Sequence, residues 1–178
     1  TLLVRKECYD QRAWDEGIVN AYASSDIDTW LNGTYKGLLG GDVQSAIGTT
    51  EFYYTLGNGN ATVETLERSI FLLSITELGQ SHTYANVEGS ALPIASTLQI
   101  SDQSGSSTYQ WTRSPYMNDT SGAWRLDSSG NIYRGNCALA LGSRPCFTLP
   151  STFTATYYVD GNGALHDAQE YDHGGDFY

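Results

Sequence analysis

Positive charge is scarce in this chain: nine Lys and Arg stand against twenty Asp and Glu in 178 residues, a formal net charge of -11. No window gathers the basic stripe needed to track a phosphate backbone, which excludes nucleic acid as a partner. Long apolar runs are also missing. Ile70 to Leu73 and Cys137 to Leu141 are far short of the ~20 residues that span a bilayer, so a soluble chain without membrane insertion is expected. Cysteine is sparse and odd in number. Of Cys8, Cys137 and Cys146, at least one thiol is unpaired within a monomer. Cys137 and Cys146 are read either as a bridge between neighbouring strands or as two small buried residues, and no disulfide framework is assumed. His82, His166 and His173 lack ligand spacing, so no metal site is expected. Asp160-Gly-Asn-Gly163 lacks the twelve-residue ligand pattern of a calcium loop. No signal-like segment precedes the first apolar residues, and the chain is expected to be cut from something longer.

What is abundant is apolar and aromatic material. Hydrophobic residues make up 40% of the chain, with 4 Trp, 13 Tyr and 5 Phe, enough for one sizeable core and too much for disorder. Trp14, Ile18, Tyr22, Ile27, Trp30, Leu31 and Leu38 recur with helical spacing, broken at Ser24-Ser25-Asp26. Two short helices are therefore expected, about 11–23 and 26–33, the second capped by Ser25 or Asp26, with a further helical turn between Asp42 and Ile47. Strand character follows at 51–55, turn chemistry at 57–60, and a strand buried on both faces at 69–74. A turn is expected to start near Glu77, and 79–108 reads as a long surface loop. From Gln110 the chain becomes short strands at 109–113, 122–127, 131–135, 144–148 and 153–159, with hairpin-like turns at 127–130 and 160–163. The fold class is α+β with an antiparallel sheet. The acidic tail 167–178 reads as a linker or surface strap. The domain proper is placed at 1–159, with a C-terminal hairpin and acidic tail at 160–178.

Leu2-Leu-Val-Arg-Lys6, Trp14, Tyr22, Ser25-x-Ile27, Leu31-Asn32, Ile70 to Ser74 with Glu77, Glu88-Gly89, Trp111-x-Arg-Ser-Pro115, Ala123-Trp124, Gly130 and Gly142-x-Arg-Pro145 occur in that order. Together they resemble C-type-lectin-like domains of tail, fibre and decoration proteins of phages of gut Firmicutes. Some of those domains are variable proteins of diversity-generating retroelements. The resemblance covers about residues 1–150. It implies a C-type-lectin-like fold, with two short N-terminal helices flanking small antiparallel sheets, the last of which presents ligand contacts. It also implies that the displayed positions lie between the Trp-x-Arg-Ser-Pro and Gly-x-Arg-Pro motifs, here Tyr116, Asn118, Asp119, Arg125, Asp127, Asn131, Tyr133, Arg134 and Asn136. Relatives usually carry an extra N-terminal strand, absent here, and often two aromatics before Arg-Ser-Pro, where this chain has Gln110-Trp111-Thr112.

Trp111, Arg113, Trp124 and Arg144 are expected to be structural. Trp fills core volume, and Arg113 can clamp loop carbonyls or pair with Glu77 or Glu88. Strand alternation puts Trp124, Leu126 and Ile132 inward and Arg125, Asp127, Asn131 and Tyr133 outward. Tyr and Arg together are typical of energetic hot spots, although a plain solvated face would also use polar residues. The resulting expectation is a non-enzymatic module that binds a host cell-surface protein or glycan, at a virion surface or outside the cell. It needs no cofactor, and other virion or adhesin subunits are its expected neighbours, with a homotrimer as one such assembly. Two other readings stand beside it. One is a structural virion module that contacts only adjacent subunits. The other is an oxidase like the formylglycine-generating enzyme, which would need a reactive Cys137 or Cys146. The Glu-Pro-Asn and Trp-Asn-Asp motifs of calcium-dependent sugar-binding lectins are absent, which argues against calcium-mediated sugar binding.

Overall fold

The computed structural model describes residues 1–93, 95 and 101–153, and the backbone of 157–159 and 165–167. The protein mixes helix and sheet, with many strands and few helices. Strands β1 (Leu2–Val4) and β2 (Asp10–Arg12) come first. A 3₁₀ turn at Tyr22–Ser24 leads into α1 (Asp26–Trp30), which continues through a π-helical turn (Leu31–Tyr35) into α2 (Lys36–Leu38). Next come α3 (Gly41–Ala46), β3 (Thr50–Gly57), β4 (Asn60–Arg68) and β5 (Ile70–Phe71). The second half supplies β6 (Gln110–Pro115), β7 (Gly122–Leu126), β8 (Ile132–Asn136), β9 (Leu141–Ser143) and β10 (Cys146–Thr148). A final antiparallel pair joins β11 (Tyr157–Val159) to β12 (Leu165–Asp167). The expected turn at 160–163 and the tail beyond 167 lie outside the described residues, as do 154–156 of the last expected strand.

The larger sheet is curled, in the order β2-β9-β6-β7-β8, and the smaller sheet runs β1-β10-β5. Pairing is antiparallel except where β6 meets β9 in parallel at Gln110 and Gly142. The chain passes from one sheet to the other at Arg144-Pro145. Of the expected strand at 144–148 only Cys146–Thr148 pairs, as β10, while β9 ends at Ser143 in the other sheet, because the chain crosses at Arg144-Pro145 and proline cannot donate to a ladder. Likewise only Ile70 and Phe71 of the expected strand 69–74 pair in a sheet. Leu72 and Leu73 are buried without joining a named strand, although the Arg113 amide donates to the Leu73 carbonyl at 3.1 Å.

The helix expected at 11–23 does not form. Residues 10–12 instead pair with Ser143, Gly142 and Leu141 as strand β2. Ile18, with φ of 60°, breaks any helical path, and its side chain is 42% exposed while Trp14 and Tyr22 are fully buried. The apolar spacing of Trp14 and Tyr22 comes from a loop residue and the first residue of the 3₁₀ turn, which reach one core. The second helix starts as expected: the Ser25 hydroxyl accepts from the Asp28 amide. It runs to Leu38, beyond the expected end at 33, because the chain between has no breaker stronger than Gly33.

Strand β4 was not expected, since its residues are mostly exposed and lack alternation. It forms because Asn58 and Gly59, with φ of 48° and 81°, close a hairpin of the type that matches strand twist. The core is one cluster built around Trp14, Tyr22, Tyr35, Phe52, Phe71, Trp111 and Phe147.

Candidate ligand-binding site

The surface of interest rests on β6, β7 and β8. Gln110 and Trp111 pair with Leu126 and Arg125, and Arg125 pairs in turn with Tyr133. Directly paired residues share a face, so Trp111, Arg125 and Tyr133 form one cross-strand row. Trp124 pairs with Arg134, which puts those two on the opposite face together with Leu126 and Ile132. Between Trp111 and Pro115 the register slips, with four steps along β6 against two along β7. The bulge turns Arg113 away from β7 and into the interior.

Arg113 is fully buried and richly satisfied. It makes a bidentate pair with Glu77, 2.6 and 2.7 Å, and donates to the Tyr53 and Leu72 carbonyls at 2.9 and 2.8 Å. Burial alone would depress its pKa, but the hydrogen bonds and charge of Glu77 hold it above the usual range. Glu77 reciprocates hydrogen bonds with Ser74, a capping box closing the turn after β5. Buried Glu88 accepts from the Thr55 amide at 2.7 Å and from the Ser114 hydroxyl. Burial pushes its carboxyl pKa up, against the opposing effects of Arg113, Ser114 and Thr55. Arg144 donates to the Arg5 carbonyl at 2.7 Å and to the Lys6 carbonyl, fixing the bend between the two sheets. Trp111 is buried and donates to the Arg12 carbonyl at 3.0 Å. Trp124, also buried, lies against His82 and Tyr116 with ring centroids 4.5 and 5.0 Å away. These side chains hold the sheet that carries the displayed positions.

The nine displayed positions divide into two places. On the Trp111 face, Arg125 lies half-buried with its guanidinium carbon 4.1 Å from the centre of the Tyr109 ring. Tyr109 and Tyr133 stand edge to face at 6.3 Å and are 39% and 44% exposed. Gly135 makes this arrangement possible, since a Cβ there would fall 2.6 Å from Trp111 Cη2 and 3.1 Å from Arg125 Cδ. Asp127 accepts from the Ser129 and Asn131 amides, each at 2.9 Å, and from the Asn131 side chain at 3.1 Å. The Asn131 side chain, those amides and the Tyr133 hydroxyl keep its pKa below the ordinary carboxylate range. Gly130, at φ of 83°, completes that turn.

The other place is the loop between β6 and β7. Arg134 pairs with Asp119 at 3.0 Å and donates to the Ser121 hydroxyl at 2.7 Å. Burial raises the Asp119 pKa, but the Arg134 bond and the Ser121 amide outweigh it and the carboxyl sits low. Tyr116 is half-buried against Tyr84 and Trp124, Asn118 is exposed, and Asn136 accepts from the Ala138 amide at 3.0 Å. The resemblance implies one surface for all nine positions. In the structure Arg134 and Tyr133 face opposite sides, as adjacent strand residues must.

A family described as Domain of unknown function (DUF6273) matches residues 1–151. The chain belongs to the DUF6273 family. No curated protein and no solved structure matches it. The DUF6273 match thus spans both sheets and every displayed position.

Two residues of this DUF6273 domain that the sequence reading did not single out shape the site. Tyr109 supplies the ring under Arg125, and its period-two spacing from Trp111 was an available signal. Asn20 is the other. Its amide nitrogen donates to the carbonyls of Tyr116, Asp119 and Gly122 at 3.1, 2.9 and 2.8 Å, and its oxygen accepts from the Asn58 amide at 2.7 Å. It fastens the 116–122 loop to the β3–β4 hairpin, a role no local pattern announces. Among the described residues no cluster of His, Cys, Asp and Glu could hold a metal ion, and no helix is long and apolar enough to cross a membrane. Cys8, Cys137 and Cys146 are all free and buried. Burial pushes the Cys137 thiol pKa up to about 12 and that of Cys146 well above its ordinary value.

Proposed function

We propose that this domain is a C-type-lectin-like recognition module, displayed on a phage particle or bacterial surface, that binds a host-cell receptor or surface glycan without catalysis. The observation that carries this reading is the Tyr109–Arg125–Tyr133 patch, a guanidinium lying on one exposed ring that meets a second exposed ring edge to face, on a three-strand platform. Exposed aromatic rings beside Arg are the composition of binding hot spots, and here their backbone is fixed before any ligand arrives. The small antiparallel sheets, the last of which carries the displayed positions, support the proposed fold. Buried thiols with raised pKa values weigh against the oxidase reading, because the thiolate is the reactive species.

The structural virion module is the second reading, and it would bury the same patch against a neighbouring subunit. The experiment that separates the two is binding of a fluorescently labelled, multivalent form of the domain to intact bacteria of its source community. The display reading predicts saturable binding to some cells, competed by unlabelled domain. No binding to any cell would transfer the patch to a subunit interface.

A further inference from the structure

Arg125 differs from most of the described cations. Arg12, Arg68, Arg113 and Arg134 are each paired with a carboxylate, and Arg144 is spent on backbone carbonyls. Lys36 donates to the Ser69 hydroxyl at 3.0 Å. Arg125 forms no ion pair among the described residues, and its buried Nε has no hydrogen-bond partner. What holds it is packing: the Tyr109 ring at 4.1 Å and the space left by Gly135 under its stem. A guanidinium packed on a ring with its buried Nε unsatisfied costs free energy in the unliganded protein, and its two terminal nitrogens make no hydrogen bond to the described residues. The same packing lowers the ordering cost when an anion arrives.

We propose that Arg125 is the subsite for a single carboxylate of an acidic sugar, with Tyr109 and Tyr133 receiving the pyranose ring. The proposal rests on the display reading above and names its ligand class. A carboxylate matches the planar guanidinium fork with two parallel hydrogen bonds. Two rings exposed at 39% and 44% give the sugar's C–H face an apolar surface that an extended acidic peptide would not need. Charge selects a single carboxylate over a polyanion. The chain carries -11 overall, and Asp127, ionised by its turn, lies on the same edge as Tyr133. A phosphate dianion or sulfated polymer would meet those negative charges with only one open guanidinium to offset them.

The test uses matched glycoconjugates immobilised at equal density: β-glucuronide against β-glucoside, and sialyllactose against lactose. The folded domain is expected to bind at least one carboxylated member about tenfold or more tightly than its neutral partner, the scale of one charge-assisted bidentate contact. Arg125→Gln should erase that preference, and Arg125→Lys, which keeps the charge without the fork, should recover only part of it. Tyr133→Ala, at an exposed position, should weaken binding to both members of a pair. Melting curves for each variant separate loss of binding from loss of fold. Equal binding of acidic and neutral sugars, or no binding of either, would overturn the carboxylate subsite. If cells are still bound through Arg125 and Tyr133, the ligand class falls and the display reading stands. If cells are not bound at all, the display reading falls as well. Preference for an acidic peptide over both sugar pairs would also overturn the proposal.

Discussion

Asn20 offers a sharp test of how the displayed loop is held. Its side-chain amide gives two N–H donors to three carbonyls of the 116–122 loop, while its oxygen receives the Asn58 amide. Asn20→Ala removes these bonds and leaves several of those polar groups without a partner. At about 1 kcal/mol per net bond, with additional cost for groups left unsatisfied, the loss amounts to roughly 2–4 kcal/mol. For a domain of this size, roughly 2–4 °C per kcal/mol, the melting temperature should fall by roughly 4–16 °C. Asn20→Asp is the more telling variant, because it keeps the acceptor for Asn58 but turns a carboxylate oxygen toward the three carbonyls. It should destabilise at least as much as alanine, although it is nearly isosteric. Calorimetry gives the melting temperatures, and limited proteolysis should report new cleavage between 116 and 122 in both variants. An aspartate variant that melts within about 1 °C of the parent would refute the assignment of Asn20 as the anchor of that loop.

Gly135→Ala should cost about 1–3 kcal/mol by overpacking against Trp111 and displace the Arg125 stem, lowering the melting temperature and cell binding together. Unchanged stability would mean that the Trp111 indole does not occupy the Gly135 seat. Asp28, buried within α1 and paired with Arg68, has its pKa raised by burial to about 6, with Arg68 partly opposing. A pKa above the unfolded value contributes stability below about pH 4 and loses it as pH rises through about 6. The melting-temperature advantage of the parent over Asp28→Asn should therefore shrink from pH 4 to pH 7, and an advantage that grows over that range would contradict the raised pKa. Cys137 and Cys146 should resist a soluble thiol reagent in the folded domain and react on unfolding. Rapid labelling of the folded protein would revive the oxidase reading.

Several features of the platform were legible in the sequence for definite physical reasons. Turn chemistry at Asp127 to Gly130 and alternation through Trp124 and Leu126 located β7 and β8, and serine before an acidic first turn located the start of α1. The errors also have causes. Trp14, Ile18 and Tyr22 mimic helical periodicity, yet the chain from Asp10 is drawn into the sheet by pairing with Leu141, Gly142 and Ser143, far away in sequence, which no local window can register. Strand β4 carries no buried face of its own and exists because its hairpin partner does. At the site, residue type pointed to Arg125 and Tyr133. That Arg134 belongs to the other face followed from strand alternation, which the resemblance-based list of displayed positions did not apply. Asn20 was invisible because its partners are backbone groups brought near only by the fold.

The proposed contact with the cell runs through the Tyr109–Arg125–Tyr133 patch and no other face of the sheet. The direct measurement compares cell binding by two folded single variants on adjacent residues of β8, Tyr133→Ala and Arg134→Ala. Tyr133→Ala is expected to lose most of the binding while Arg134→Ala, whose side chain is engaged with Asp119 and Ser121 on the other side, keeps it. Loss confined to Arg134→Ala, with Tyr133→Ala binding like the parent, would contradict it and move the contact to the 116–122 loop.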